Sequence, residues 1–276
     1  MYVRPPAVAG RFYPADPAAL TSMIGEYVEV GMERQSAIGV VVPHAGYMYS
    51  GHVAGAIYSR LKIPSRVIIL CPNHTGMGVP LSMMKAGSWK TPLGELPIDQ
   101  ELSDALIQAD PELEDDTLAH RMEHAIEVQL PFLQVLQKQN TRFVPITIGI
   151  SGWEPLESLG NAIGRTVAEL DRSTLIMASS DMNHYETDAI TRVKDAKAID
   201  PLLGLDPRRL HDTVRRERIS MCGAGPATAM LIAARMLGAT RAELVKYATS
   251  ADVSGDFNRV VGYAGVIVSG DKGTDT

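Results

Sequence analysis

Short runs of branched apolar residues recur along the chain, and three of them end in a polar cluster that contains histidine. The run Val40-Val41-Val42 precedes His44, the run at 67–70 precedes His74, and the run at 175–178 precedes His184. Runs this short and this apolar are typical of strands buried on both faces, as in a parallel sheet covered by helices. Ligands of such sheets bind beyond the carboxyl ends of the strands, so the pattern predicts that these histidines share one pocket.

Segments with helical spacing of apolar residues alternate with strand-like runs over most of the chain. Helices are predicted over 50–61, 99–109, 123–137, 155–170, 189–200, 207–217 and 224–237. Strands are predicted over 38–43, 66–71, 142–149, 173–178, 243–249 and 260–268. Pro131 should kink or split the helix that contains it. The β-α-β order predicts an α/β fold, with a central, mostly parallel or mixed sheet flanked by helices.

No repeat and no linker rich in glycine, serine or proline divides the sequence. We therefore expect one domain over residues 1–276, with 269–276 as a flexible tail.

The composition narrows the classes of partner. Hydrophobic residues make up 45% of the chain and charged residues 21%, which is ordinary for a globular protein with a sizeable core. A net charge of −6 disfavours binding to nucleic acid or to an anionic membrane, because both need a basic excess. Two cysteines form no disulfide framework, and the chain has neither a secretory signal nor a long apolar span. We expect a cytoplasmic protein without nucleic-acid or membrane partners.

His44 and His74 are the first candidates for metal ligands. Each follows a predicted strand directly and lies in a turn of small or polar residues. Two neutral imidazoles from two strands can bind one divalent ion, and they need a third ligand. Because the pair lies 30 residues apart, spacing alone gives no check. For His44, a role as metal ligand and a role as cap of its turn both remain open.

Asp181 and His184 lie three residues apart just past a predicted core strand. They could bind a metal, or Asp181 could orient His184 as a general base. The alternative is an aspartate that caps a helix beside a surface histidine. The polar cluster directly after a core strand favours the functional interpretation.

Cys222 precedes the predicted helix over 224–237. A helix N-terminus lowers the pKa of a thiol, which would make Cys222 a better metal ligand or nucleophile. The alternative is a small buried residue beside a glycine-rich turn. His124 lies between Glu123 and Glu127, where carboxylates complement the dipole of the predicted helix over 123–137. The residues alone therefore favour a structural role for His124.

Taken together, these residues resemble one family, the Memo proteins, whose bacterial and archaeal members are called AmmeMemoRadiSam system protein B. The resemblance covers nearly the whole chain, through matching segments in the same order. These segments are 4–14, 43–47, 72–74, 123–131, 179–184 and Cys222-Gly223. The family in turn is similar to the catalytic subunit of class III extradiol ring-cleaving dioxygenases, which are non-haem iron enzymes with an α/β fold.

The resemblance implies roles for individual residues. In the dioxygenases two histidines and a glutamate bind Fe(II), and a further histidine acts as acid and base. The matching positions make His44 and His74 the metal histidines and His184 the acid/base histidine, with Cys222 where the glutamate would stand. Asp181 and His124 complete the catalytic candidates. The expected cofactor is a transition metal, Fe(II) first, with Cu or Zn as alternatives.

Two departures from the dioxygenases and from the family bear on activity. A thiolate at Cys222 changes the charge and redox behaviour of a bound metal and is itself oxidisable, which argues against ring cleavage. Cys71 occupies a position where the family often has glycine.

The resemblance implies a metal-dependent oxidoreductase of unknown substrate. The alternatives are a non-catalytic module that binds a peptide or small ligand in the dioxygenase-like cleft, and a hydrolase in which Asp181 or His184 activates a metal-bound water. Memo proteins are described as metal-binding redox proteins and, in animals, as adaptors for phosphotyrosine peptides. The family name also implies a functional association with a radical SAM protein and an AMMECR-type protein.

Overall fold

The computed structural model describes residues 2–137 and 141–270, and these form the predicted α/β fold. The helices are α1 Pro17–Tyr27, α2 Tyr47–Tyr58, α3 Gln100–Ala109, α4 Leu130–Leu136, α5 Trp153–Leu170, α6 Asp188–Leu203, α7 Pro207–Arg216, α8 Ala224–Met236 and α9 Ala251–Ser254. The strands are β1 Val3–Arg4, β2 Gly39–Val42, β3 Arg66–Pro72, β4 Leu81–Met83, β5 Ser88–Thr91, β6 Gly94–Pro97, β7 Glu114–Asp115, β8 Arg142–Ile148, β9 Leu175–Ser179, β10 His184–Glu186, β11 Ala239–Thr249 and β12 Val260–Gly270.

A mixed sheet runs through the middle of the molecule. Its strands follow the order β10-β12-β2-β9-β3-β8-β4-β7, and β11 pairs with β12 beside this path. The four central strands β2, β9, β3 and β8 are parallel to one another. Strand β12 is antiparallel to β2 and to β11, and β4 is antiparallel to β8. The predicted mixed sheet is confirmed, and β1, β5 and β6 form a second, three-stranded sheet.

Successive residues of the central strands face two different apolar layers. Val41 and Ile68 pack in one layer with the inner faces of α5 and α8. Val40 and Ile69 pack in the other layer with α1, α2 and α4. All four side chains are fully buried, and each such burial stabilises the fold by about 1.5–3 kcal/mol. Both faces of the sheet are thus occupied by core, so the polar residues of these strands gather at their ends.

The helix predicted over 123–137 is wrong in its first half. The chain forms a short 3-10 turn at Glu127–Gln129, and α4 begins only at Leu130. Pro131 lies in the first turn of α4, where its missing N–H is not needed. Before this turn, a side chain accepts the backbone N–H groups that helix carbonyls would otherwise accept. Oε1 of Glu123 accepts the N–H groups of His124 and Ala125 at 2.9 and 3.0 Å.

The carboxyl-terminal strand is longer than predicted. Ser269 and Gly270, the first two residues of the predicted tail, belong to β12. The remainder of that prediction, residues 271–276, lies outside the described residues. Within 2–137 and 141–270, no helix is both long enough and apolar enough to cross a membrane.

Candidate metal centre

The carboxyl ends of three neighbouring parallel strands bring the predicted site residues to one edge of the sheet. His44 follows β2, His74 follows β3, and Asp181 follows β9, which lies between those two strands. The ring centroids of His44 and His74 are 5.1 Å apart. The imidazoles of His44 and His74, two of the three histidines that the strand pattern predicts in one pocket, therefore lie side by side.

Cys222 reaches this pocket from the loop before α8. Its Sγ lies 3.2 Å from Nε2 of His44. The donor atoms of His44, His74 and Cys222 all lie within 4.8 Å of one another. Bonds from zinc to nitrogen and sulfur are about 2.0 and 2.3 Å long. The three predicted metal residues therefore form a cluster on the scale of a single ion.

A glycine beside the thiol allows this approach. The backbone N–H of Gly223 donates to Oγ of Ser180 at 3.0 Å. A Cβ atom at Gly223 would lie 2.3 Å from Cβ of Ser180 and 2.7 Å from the carbonyl oxygen of Ser179. Any side chain there would push the loop of Cys222 away from the strand end that carries Asp181.

The hydrogen bonds around His44 determine which of its nitrogens is free. Ser179 Oγ donates its proton to the carbonyl of Ala125 at 2.7 Å, so it accepts from His44 Nδ1 at 3.0 Å. Nε2 of His44 is then unprotonated, and its lone pair faces Cys222. Burial, together with the nearby His74, lowers the pKa of His44 to about 3. The ring is therefore neutral at neutral pH, the form that binds metals.

Glu123 orients the second imidazole. Its Oε1 lies 2.9 Å from His74 Nδ1, and its Oε2 accepts the backbone N–H of His74 at 2.7 Å. Although burial raises the pKa of Glu123, the hydrogen bond and charge of His74 lower it to about 2. The same bond raises the pKa of His74 against the opposing effect of burial. Glu123 thus holds Nδ1 of His74 and leaves Nε2 to the pocket.

His124 lies in the pocket, although the residues alone favour a structural role. Its ring centroid is 4.7 Å from that of His74, 5.4 Å from that of His44 and 4.7 Å from that of Phe12. Burial, followed by the effect of His44, lowers the pKa of His124 to about 4. Together with His74 and Glu123 it forms a second group with ligand spacing. No local spacing indicates this group, because His74 and Glu123 lie 49 residues apart along the chain.

Asp181 and His184 have different partners from one another. Asp181 is buried, and its Oδ1 accepts the backbone N–H of His44 at 2.8 Å, so it holds the turn after β2. His184 Nδ1 donates instead to the carbonyl of Ser220 at 2.8 Å. Burial raises the pKa of Asp181, against the opposing effects of the hydrogen bond from the His44 N–H and of the nearby His184. The orienting partner of His184 is therefore Ser220, which the sequence analysis did not single out.

The two cysteines both have a raised pKa. The predicted lowering for Cys222 by the helix N-terminus is wrong, because burial, and next the charge of Asp181, raise the pKa of this thiol far more. Cys71 is fully buried at the end of β3, 3.5 Å from Thr147 Oγ1, and burial raises its pKa well above the usual range. The environment of Cys71 is that of a core thiol.

Comparison with known proteins supports the resemblance. The family model for Memo-like proteins matches residues 4–267. A MEMO1 family protein of Methanopyrus kandleri is 44% identical over 277 residues, covering 96% of this chain and 98% of its own. The MEMO1 family proteins of Methanothermobacter thermautotrophicus and Methanosarcina mazei are 42% and 43% identical, with coverage of 95% and 97% of this chain. They are covered over 99% and 100% of their own lengths.

Proposed function

The chain belongs to the Memo family, and on that premise we propose that its pocket binds one transition-metal ion and serves a metal-dependent oxidoreductase. The ligands in this proposal are His44, His74 and Cys222. The observation that carries it is the mutual approach of their three donor atoms, all within 4.8 Å at the carboxyl edge of the parallel strands.

The chemistry of the donor set fits such an ion. Both histidines use Nδ1 for hydrogen bonds, His44 to Ser179 and His74 to Glu123, so both Nε2 atoms are left for an ion. Imidazole and thiolate together suit iron, copper and zinc, whereas magnesium and calcium prefer oxygen ligands. A positive ion would also supply the charge that the buried Cys222 thiolate needs. We propose Fe(II) as the ion, with copper or zinc as alternatives.

Three further residues surround the proposed ion. Bound iron would supply redox chemistry toward oxygen or a redox-active substrate. In this proposal His184 moves a proton, because its Nδ1 donates to Ser220 and Nε2 is left as an acceptor. His124, which burial keeps neutral, hydrogen-bonds the substrate, and Asp181 holds the turn of His44.

The remaining expectations stay predictions. They are the likeness to extradiol dioxygenases, the alternative role as a peptide or ligand-binding module, the hydrolase alternative, the association with a radical SAM protein and an AMMECR-type protein, and the cytoplasmic location.

Metal analysis of the full chain, purified without a chelating column and then reconstituted with Fe(II) without oxygen, tests the proposal. We expect close to one ion per chain, its loss in His44→Ala and His74→Ala, and oxygen consumption with a redox-active substrate such as a catechol. Cys222→Ser should weaken zinc or copper binding more than manganese binding, because thiolate prefers the softer ions.

His211→Ala is the matched control, because His211 lies on α7 and packs against Trp153 rather than in the pocket. It should retain the ion. A wild-type chain that binds no transition metal, or a Cys222→Ser variant that loses all ions equally, would contradict the proposed ligand set. Full metal loading without oxygen consumption would contradict the oxidoreductase.

A further inference from the structure

Asn183 is fully buried next to His184, and each of its polar groups has a partner. Its backbone N–H donates to Asp195 Oδ1 at 2.8 Å, and its carbonyl accepts from the N–H of Gly262 at 2.9 Å. Its side-chain amide donates to Glu186 Oε2 at 2.7 Å and more weakly to Thr191 Oγ1 at 3.3 Å. Only the side-chain carbonyl points to another loop.

That carbonyl joins the loop of His184 to the loop of Cys222. Oδ1 of Asn183 accepts both the backbone N–H and the hydroxyl of Ser220, each at 3.1 Å. Ser220 in turn contacts His184 three times. Its Oγ accepts the backbone N–H at 2.8 Å and lies 3.4 Å from the backbone carbonyl oxygen, and its own carbonyl accepts Nδ1–H at 2.8 Å. Ser220 lies two residues before Cys222. The four residues therefore form one bonded unit across two distant parts of the chain.

We infer that Asn183 is a positioning residue for the site, which fixes the tautomer of His184 and the location of Cys222 through Ser220. The inference rests on the proposed function for its consequences, although its contacts stand independently. With Ser220 held, its carbonyl is available only to a protonated Nδ1, so Nε2 of His184 stays an acceptor. With Ser220 released, that carbonyl and the Cys222 loop are free to move together.

The expected change in the His184 tautomer and in zinc affinity follows from the contacts that each substitution removes. Asn183→Ala deletes the acceptor for the backbone N–H and the hydroxyl of Ser220, so Ser220 loses both of its bonds to residue 183. Asn183→Asp combined with Glu186→Gln keeps the acceptor and reverses the hydrogen bond at residue 186, because the glutamine amide then donates to the aspartate. The double variant is therefore the conservative rescue.

Two measurements test the inference. Nitrogen-15 NMR of the metal-free wild-type chain should find His184 in the Nδ1–H tautomer, and Asn183→Ala should give a mixture of tautomers. Zinc titration against a chromophoric chelator should show a Kd about 10- to 100-fold higher in Asn183→Ala, the usual effect of removing a partner that orients a ligand. The double variant should return to within about threefold of wild type, far short of that loss.

Asn258→Ala is the matched control, because Asn258 lies on an exposed loop and its amide bonds only to Asp256. It should change neither the tautomer nor the Kd. An Nε2–H tautomer in the wild type would overturn the inference without any variant, even if Asn183→Ala fails to fold. Equal zinc affinity in wild type and a folded Asn183→Ala would also overturn it. Failure of the wild type to bind zinc or any other transition metal would instead contradict the proposed function, while the tautomer measurement would still decide the role of Asn183.

Discussion

Glu123 and Glu127 lie four residues apart, are both fully buried, and have entirely different surroundings. Glu123 accepts from the imidazole of His74 and from three backbone N–H groups around the pocket. Glu127 pairs with Arg4 in a short contact and accepts the Tyr13 hydroxyl at 2.6 Å. It also accepts the backbone N–H groups of residues 7 and 8, at 2.8 and 3.0 Å.

The difference separates a carboxylate that holds the chain from one that orients an imidazole for the site. The guanidinium of Arg4 is fully buried against the ring of Trp89, 4.1 Å from its centroid, and carries a permanent charge. Glu127 therefore ties the amino-terminal segment to the body of the protein. The partner of Glu123 is a histidine that takes up or releases a proton, and the free nitrogen of that ring faces the pocket. Burial alone does not distinguish the two roles, whereas the kind of partner does.

The first way to break the comparison is Glu127→Gln, for which we expect the largest effect. The substitution leaves the buried charge of Arg4 without its counterion, and breaking a buried pair in this way typically destabilises a protein by about 3–5 kcal/mol. Urea unfolding followed by circular dichroism measures the loss. Arg208→Ala, which breaks the exposed pair with Asp212, should change stability by less than about 1 kcal/mol. Similar losses in both variants would show that Glu127 is not an anchor.

Glu123→Gln should affect zinc binding more than stability, the reverse of Glu127→Gln. Its loss of stability should be about 1–3 kcal/mol, the effect of unsatisfied buried donors, and smaller than that of Glu127→Gln. Its Kd for zinc should rise about 10- to 100-fold, because His74 loses the acceptor that orients its ring. Glu127→Gln, kept folded at low temperature, should remain within about threefold of wild type in the same titration. Equal effects on zinc binding would remove the distinction between the two carboxylates.

The smallest expected effect is on the pH dependence of the free energy of unfolding. Burial, followed by Arg4, lowers the pKa of His120 to about 3, and burial lowers that of the pocket histidine His124 to about 4. Below about pH 6.5 these histidines become protonated in the unfolded chain but stay neutral in the folded chain. The free energy of unfolding therefore falls as the pH drops toward 4. His74 and Asp195 oppose this trend, because their folded pKa values are raised.

His120→Gln should therefore reduce the slope of the free energy of unfolding against pH by up to about 1.4 kcal/mol per pH unit. Denaturant titrations between about pH 6 and pH 4 measure that slope. Glutamine retains hydrogen-bonding groups for Ser82 and Thr147, which contact His120 at 3.2 and 3.1 Å. Since His120 lies on the Arg4 side, its contribution should persist when zinc saturates the pocket. An unchanged slope would mean that His120 does not resist protonation.

The strand pattern of the sequence predicted the fold and the edge of the sheet that carries the candidate site. The apolar runs before His44 and His74 are β2 and β3, and both belong to the parallel part of the sheet, with β9 between them, as expected for strands buried on both faces. The helix over 123–137 failed because the Glu123 carboxylate bonds the backbone that a helix would bond. Helix propensities do not account for a side chain that accepts hydrogen bonds from nearby backbone N–H groups in this way.

The contacts within the site were less accessible from sequence than the residue types. His74 and Glu123 are 49 residues apart, and Asn183 and Ser220 are 37 apart, so no local spacing reports either contact. The raised pKa of Cys222 depends on the burial of the thiol and on the nearby Asp181, and the position before a helix reveals neither. The sequence indicated Cys222 as a ligand through the family resemblance. The structure adds that its Sγ lies 3.2 Å from Nε2 of His44.

The lack of room for a side chain at Gly223 has a consequence for evolution and for redesign. With a Cβ atom only 2.3 Å from Ser180, this position tolerates no replacement without moving the backbone. The neighbouring Cys222 is only partly buried. A library randomised at both positions should therefore retain glycine at 223 while accepting carboxylate or imidazole at 222. Such a result would mean that one substitution at 222 can change the donor atom while the scaffold stays unchanged.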